Sequence, residues 1–244
     1  MSRFLAASPL ADEISGNVVA LDAQESHHAF HVLRLQPGDS IQVFDGKGYS
    51  ATAVLRSVGR GHNEVVLAEL CGPAPRPTPR IRLACAITKG NRLDWLIEKA
   101  TELGVDEFLP VHFARSVAGG DILTPGKNAR WQGHIVAAAK QCGRDYLPVL
   151  IDYTTPAALR ERALGMFALL GCPESDTPGI ASVIAQAPRG IEIMLIIGPE
   201  GGLTDDERRM LTEAGVHPVR LGANILRTET AAIALLAATI AAAR

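Results

Sequence analysis

Two glycine-bearing segments hold the residue types best suited to chemistry. The first is Ile197-Gly198-Pro199-Glu200-Gly201-Gly202-Leu203-Thr204. Its three glycines let backbone N–H and C=O groups come close to a ligand. Glu200 stands just past an apolar run, at the edge where open α/β sheets bind their ligands. The second segment runs from Leu221-Gly222-Ala223-Asn224 through Ile225-Leu226-Arg227-Thr228-Glu229-Thr230. It sets Arg227 and Glu229 near a helix start. An arginine there can grip phosphate or carboxylate, and carboxylates can accept a proton. Taken singly, each segment also reads more plainly, as a tight strand–helix turn and as a capped helix with a salt bridge.

Absent patterns narrow the chemistry. No GxGxxG follows a strand, and neither GxxxxGK[ST] nor GxSxG occurs, so dinucleotide, P-loop and hydrolase-elbow readings fail. Cys71, Cys85, Cys142 and Cys172 form no CxxC pair. No Cys/His spacing suits zinc, so no metal is expected. His27, His28 and His31 lie in a polar helical stretch and read as surface or RNA-facing. Basic residues gather in patches: Arg76, Arg80, Arg82, Lys89 and Arg92 around the linker, Lys127, Arg130, Lys140 and Arg144 along one helix, and Arg3 and Arg34 near the N-terminus. Each patch could track a phosphate backbone or be an ordinary solvated face.

The elements that must position these residues fall into two sets. Gly72-Pro73-Ala74-Pro75-Arg76-Pro77-Thr78-Pro79 has four prolines in eight residues. It can form neither helix nor central strand. We read residues 73–80 as a stiff linker between domains 1–72 and 81–244. Before it, residues 40–44, 49–58 and 64–70 are strand-like, with a hairpin turn at Asp45-Gly46-Lys47-Gly48 and a helical insert over 25–35. This predicts a small β-barrel. After it, strands at 81–87, 108–111, 147–151, 166–170, 191–197 and 219–221 alternate with helices at 91–103, from Thr204 to Gly215, and at 230–243. Alternation means a mainly parallel α/β sheet. Thr204 and Glu207 form a capping box.

The chain has 244 residues, 47% hydrophobic and 20% charged, with a net charge of -2. It can bury a sizeable core and is not a globally basic nucleic-acid binder. The N-terminus lacks a signal-peptide pattern, no apolar run is long enough to span a membrane, and the thiols fit a cytoplasmic location.

Taken together, six segments in order resemble the small-subunit ribosomal RNA methyltransferases that modify uridine at N3, of the SPOUT superfamily. They are Lys89-Gly90-Asn91-Arg92-Leu93-Asp94-Trp95, residues 98–105, Arg115-Ser116-Val117, Gln141-Cys142-Gly143-Arg144, residues 198–202 and residues 221–231. His31-Val32-Leu33-Arg34 with Gly38-Asp39 resembles the family's PUA-like RNA-binding barrel. Lys140 departs from the pattern, which often has an acid there.

The resemblance implies an α/β fold: a C-terminal SPOUT trefoil-knot methyltransferase domain behind an N-terminal PUA-like β-barrel. It implies S-adenosylmethionine as cofactor, held by Leu170, Gly171, Ile197, Gly198, Pro199, Glu200, Gly201, Leu221, Gly222, Ile225 and Leu226. Arg227, Glu229 and Glu200 become the catalytic candidates, with Arg3, Arg34, Lys89, Arg92, Arg115 and Arg144 toward RNA. The expected partners are ribosomal RNA or the small ribosomal subunit and a second copy in a homodimer. The competing readings are a knotted methyltransferase acting on another RNA, such as transfer RNA, and a non-catalytic ribosome-assembly factor.

Overall fold

The computed structural model describes residues 1–59, 63–88, 90–116 and 124–242. The chain divides into two compact units, residues 1–76 with 136–147, and residues 77–135 with 148–244.

The first unit contains β1 (Arg3–Leu5), β2 (Val18–Ala20), α1 (Ala23–His27), a π-helical turn (His28–Val32), β3 (Ser40–Phe44), β4 (Ser50–Ser57) and β5 (Glu64–Cys71). They make one sheet in the order β1-β3-β4-β5-β2, with only β1 and β3 parallel. Alternate side chains point inward, as the period of two requires, and Phe4, Ile41, Val43, Leu55, Val65 and Leu67 form the core. Asp45 builds the expected hairpin turn: its Oδ1 accepts from the backbone N–H of Lys47 at 2.7 Å and of Tyr49 at 3.1 Å. The helix expected over 25–35 begins and ends earlier. Asp22 caps it by accepting from Gln24 N at 2.8 Å, and Arg34 adopts a left-handed φ of 52° that stops it.

Residues 136–147 join this unit rather than the second, where the sequence pattern puts them. Lys140 Nζ lies 2.6 Å from Glu25 Oε2 and 3.3 Å from His28 Nδ1. The residue that departs from the family pattern is thus the counter-ion of a buried acid. The Tyr146 hydroxyl donates to Ala74 O at 2.8 Å. Such contacts, distant in sequence, leave no local signature.

Arg3 corrects an expectation. It is 8% exposed. Its guanidinium pairs with Asp145, donates to Ala139 O at 3.3 Å and stacks over the Phe44 ring at 4.3 Å. Burial lowers its pKa, and Asp145 works against that. A side chain so enclosed acts as a structural ion-pair partner within the first unit.

The second unit contains β6 (Ile81–Ala86), α2 (Arg92–Glu102), β7 (Glu107–Val111), the first part of α3 (Pro125–Cys142), β8 (Val149–Leu150), α4 (Pro156–Ala163), β9 (Phe167–Gly171), α5 (Ile180–Ile184), β10 (Ile193–Ile197), α6 (Asp205–Glu213), β11 (His217–Val219) and α7 (Thr228–Ala242). Its six strands are all parallel, ordered β11-β9-β10-β6-β7-β8. Every residue of β10 is buried, as the unbroken apolar run demands of a central parallel strand. The last strand lies two residues earlier than expected, which leaves Leu221 and Gly222 in the loop beyond it.

α7 packs on β6, β9 and β10 and beside α2. Ala232, Leu235 and Leu236 are fully enclosed; each such leucine contributes roughly 1.5–3 kcal/mol by leaving water. At the opposite end of the strands, Arg80 and Arg82 are spent on acids. Arg82 reaches Glu192 at 2.6 Å and Arg80 reaches it at 3.4 Å. Arg130 pairs with Asp94 in the same way.

Candidate active site

The carboxyl ends of β9 and β10 and the segment after β11 converge on one pocket. Leu170, Gly171, Ile197, Gly198, Pro199, Glu200, Leu221, Gly222, Ile225 and Leu226 all line it. The parallel register explains the meeting: Ile197 sits beside Gly171, which sits beside Val219. Each strand therefore delivers its outgoing loop to the same edge.

Local chemistry shapes the glycine loop. A Cβ on Gly198 would stand 2.2 Å from Leu203 Cδ1, so glycine is what lets Leu203 fold back beneath the loop. Gly202, at φ +70°, closes a turn by donating its N–H to Pro199 O at 2.8 Å. The capping box then starts α6: Glu207 Oε2 accepts from Thr204 N at 2.9 Å. The other oxygen of Glu207 accepts from Ala114 N at 2.7 Å, which ties the chain after β7 to the same corner. Thr228 donates to Gly198 O at 3.4 Å and joins the start of α7 to the loop.

Gly201 does not line the pocket, contrary to expectation. Its carbonyl faces Arg115, whose guanidinium donates to it at 3.1 Å and to Leu203 O at 3.4 Å. Arg115, expected toward RNA, is exposed and also fastens this loop. Arg92, also expected on RNA, is the cation between the two candidate acids: 2.9 Å from Glu200 and 3.7 Å from Glu229. Glu229 does not line the pocket, although its neighbour Thr228 does. Arg227 is exposed, lies off the pocket wall and makes no side-chain hydrogen bond or ion pair among the described residues. Arg34 is exposed in the first unit and Arg144 is half-buried just past α3. Lys89 and Val117 lie outside the described residues.

The sequence pattern missed one wall. Cys172, Glu174 and Arg208 line the pocket together, with Arg208 Nη2 donating to Glu174 at 2.6 Å. That hydrogen bond holds the Glu174 carboxyl below its ordinary range. Burial pushes the Cys172 thiol up to about 11, with Arg208 opposing and Glu174 adding to the rise. Cys85, wholly buried, is driven upward by desolvation and then by the charge of Glu229. Cys172 directly follows Gly171, so the end of β9 pointed at it. Nothing local pointed at Arg208, which arrives from α6. Among the described residues no group of three His, Cys, Asp or Glu is placed to hold a metal, and no helix is long and apolar enough to cross a membrane.

Comparison with known proteins agrees with this geometry. A family model described as an RNA methyltransferase domain matches residues 75–240, and one described as an RNA methyltransferase PUA domain matches residues 21–67. The ribosomal RNA small subunit methyltransferase E of Mycobacterium bovis is 37% identical over 230 residues, covering 92% of this chain and 86% of its own. A Legionella pneumophila protein solved with its bound cofactor SAM is 30% identical, with a TM-score of 0.88 over 99% of this chain and 98% of that one. The ribosomal RNA small subunit methyltransferase E of Neisseria gonorrhoeae, solved with S-adenosyl methionine, is 29% identical, with a TM-score of 0.82 over 98% and 96%. The chain therefore belongs to the RNA methyltransferase family, in its ribosomal RNA small subunit methyltransferase E branch.

Proposed function

We propose that the chain transfers a methyl group from S-adenosylmethionine to N3 of a uridine in small-subunit ribosomal RNA. The observation that carries this reading is the convergence of three strand-end loops on one pocket, with an acid on its wall and two charged residues, Arg227 and Glu229, beside it. The walls fit the cofactor. Leu170, Ile197, Leu203 and Leu226 offer apolar surface, and no backbone–backbone hydrogen bond among the described residues engages residues 221–226. Their N–H and C=O groups are therefore free to meet a ligand's polar edges. Relatives solved with the cofactor support the same assignment.

When bound, S-adenosylmethionine supplies an electrophilic methyl carbon on a sulfonium sulfur, and the protein's work is orientation and proton management. Uridine N3 carries a proton at neutral pH. Glu200 and Glu229 are the candidate acceptors for it, and Arg227 is the candidate for stabilising charge that develops on the uracil oxygens. A PUA-like unit presenting Arg34 would help hold the RNA. The protein acts in the cytoplasm, in keeping with its four free thiols. It is a homodimer with a knotted, SPOUT-type C-terminal domain. Support for pairing comes from apolar side chains left exposed at the site, Ile225 at 86% and Leu226 at 36%.

The test is to incubate the purified protein with small ribosomal subunits and methyl-labelled cofactor, then identify the labelled nucleoside by mass spectrometry. N3-methyluridine is expected. Label on a ribose oxygen or on guanine N1 would overturn the substrate while leaving methyl transfer intact. Calorimetry that detects no cofactor binding would instead favour an assembly factor.

A further inference from the structure

Three charged side chains meet at the rim of the pocket, and one cation serves two acids. Arg92 opens α2, Glu229 sits in the first turn of α7, and Glu200 rides the loop after β10. Arg92 Nη1 donates to Glu200 Oε1 at 2.9 Å, and Arg92 Nε stands 3.7 Å from Glu229 Oε1.

The two carboxylates differ in what can reach them. The Glu229 side chain keeps 13% of its surface, and its Oε2 is buried with no hydrogen-bond partner among the described residues. The Glu200 side chain keeps 51%, and of the two only Glu200 lines the pocket. A proton acceptor must come within hydrogen-bond reach of the group it deprotonates. Glu229 Oε2 has no surface to offer a nucleobase. A buried carboxylate does, however, need a cation beside it, and Arg92 supplies one.

We propose that Glu200 is the carboxylate that faces the reacting nucleobase, and that Glu229 is a positioning residue that acts through Arg92. This rests on the methyl-transfer reading above. Glu229 anchors the guanidinium from the buried side. The guanidinium in turn holds Glu200 Oε1 and leaves Oε2 as the free acceptor. The proton lost by N3 goes to Glu200 Oε2 and then to solvent. The methyl group joins N3, and the carbon–sulfur bonding pair stays with sulfur.

A double-mutant cycle separates the roles. Single-turnover rates at saturating cofactor are compared for Glu200→Gln, Arg92→Met, Glu229→Gln and the Arg92→Met/Glu229→Gln pair. Glu200→Gln should lower the rate by roughly 10²–10⁴-fold with little change in KM for RNA. Arg92→Met and Glu229→Gln should each lower it by about tenfold, and the pair should be no slower than Arg92→Met alone, because linked residues are non-additive. Arg92→Lys should recover only part, since an ammonium lacks the planar fork. In cofactor-free protein, the Arg92 and Glu229 substitutions should be non-additive in Tm by on the order of 1–2 °C. Wild-type rates in Glu200→Gln, or a large further loss from Glu229→Gln in the Arg92→Met background, would overturn the relay. Additive effects in an otherwise active enzyme would overturn it while leaving methyl transfer standing. A wild-type protein that binds no cofactor would overturn both.

Discussion

Arg115 and Gly201 are packed side chain against backbone. The guanidinium donates to the Gly201 carbonyl at 3.1 Å, and a Cβ on Gly201 would stand 3.2 Å from Arg115 Cβ. A valine at 201 therefore needs Arg115 to shift, and that shift strains the hydrogen bond by which it holds the loop.

Gly201→Val and Arg115→Ala should each weaken cofactor binding by roughly tenfold, the equivalent of about 1.4 kcal/mol, while the protein stays folded. The double variant should be little worse than either single one, since both release the same contact. Calorimetric titration measures all three. Undiminished affinity in both single variants would detach this loop from the cofactor site.

Arg227→Ala should act on the chemistry instead. The side chain is exposed, lies off the pocket wall and has no side-chain partner among the described residues. Turnover should fall by roughly 10²–10³-fold, as for the loss of one stabilising donor, with cofactor affinity nearly unchanged. Lys127→Ala, on an exposed position of α3, should leave turnover of bound RNA alone. It should weaken RNA binding and reduce the salt slope by about 1. Rates and salt titrations on the same substrate would show whether the two roles divide this way.

Arg3→Ala should destabilise the first unit rather than impair RNA binding. It strands Asp145 without its partner, and breaking a buried pair costs about 3–5 kcal/mol. Replacing both Arg3 and Asp145 with apolar residues should restore much of the loss. Denaturant unfolding followed by a probe in that unit reads this directly. A fully stable Arg3→Ala with weakened RNA affinity would return Arg3 to the RNA surface.

Cys172 should resist alkylation at neutral pH although it lines the pocket. Burial pushes its thiol up to about 11 from an ordinary value of 9.0, and only the thiolate reacts. Labelling by iodoacetamide should rise about tenfold per pH unit until that range is reached. The sign for stability follows. The folded state favours the neutral thiol, so this contribution is whole below pH 9.0 and is lost as pH climbs toward 11. Rapid labelling at pH 7 would contradict the assignment.

What the sequence disclosed, and what it hid, divides along one physical line. The all-apolar run before Gly198, the Thr204–Glu207 box and the Asp45 turn are local patterns, and each appears where the periodicity put it. Ten of the eleven expected cofactor residues line one pocket because each lies close to a strand's outgoing end. Long-range partnership is what the spacing does not carry. Arg3, Arg92 and Arg115, all expected toward RNA, each have a partner between 86 and 142 residues away. Arg208 reaches the pocket only because α6 carries it there. Sequence spacing records which face a residue takes, not which distant acid or carbonyl will claim it.

The order of the strands also sets when the site can exist. Its walls come from β9, β10 and the stretch between β11 and Ala231. A chain emerging from its N-terminus can lay down β6 through β10 and still lack the last wall. The pocket is thus complete only once residues 221–231 are in place. A nascent chain stalled before Leu221 would hold most of its sheet yet have no grip on the cofactor.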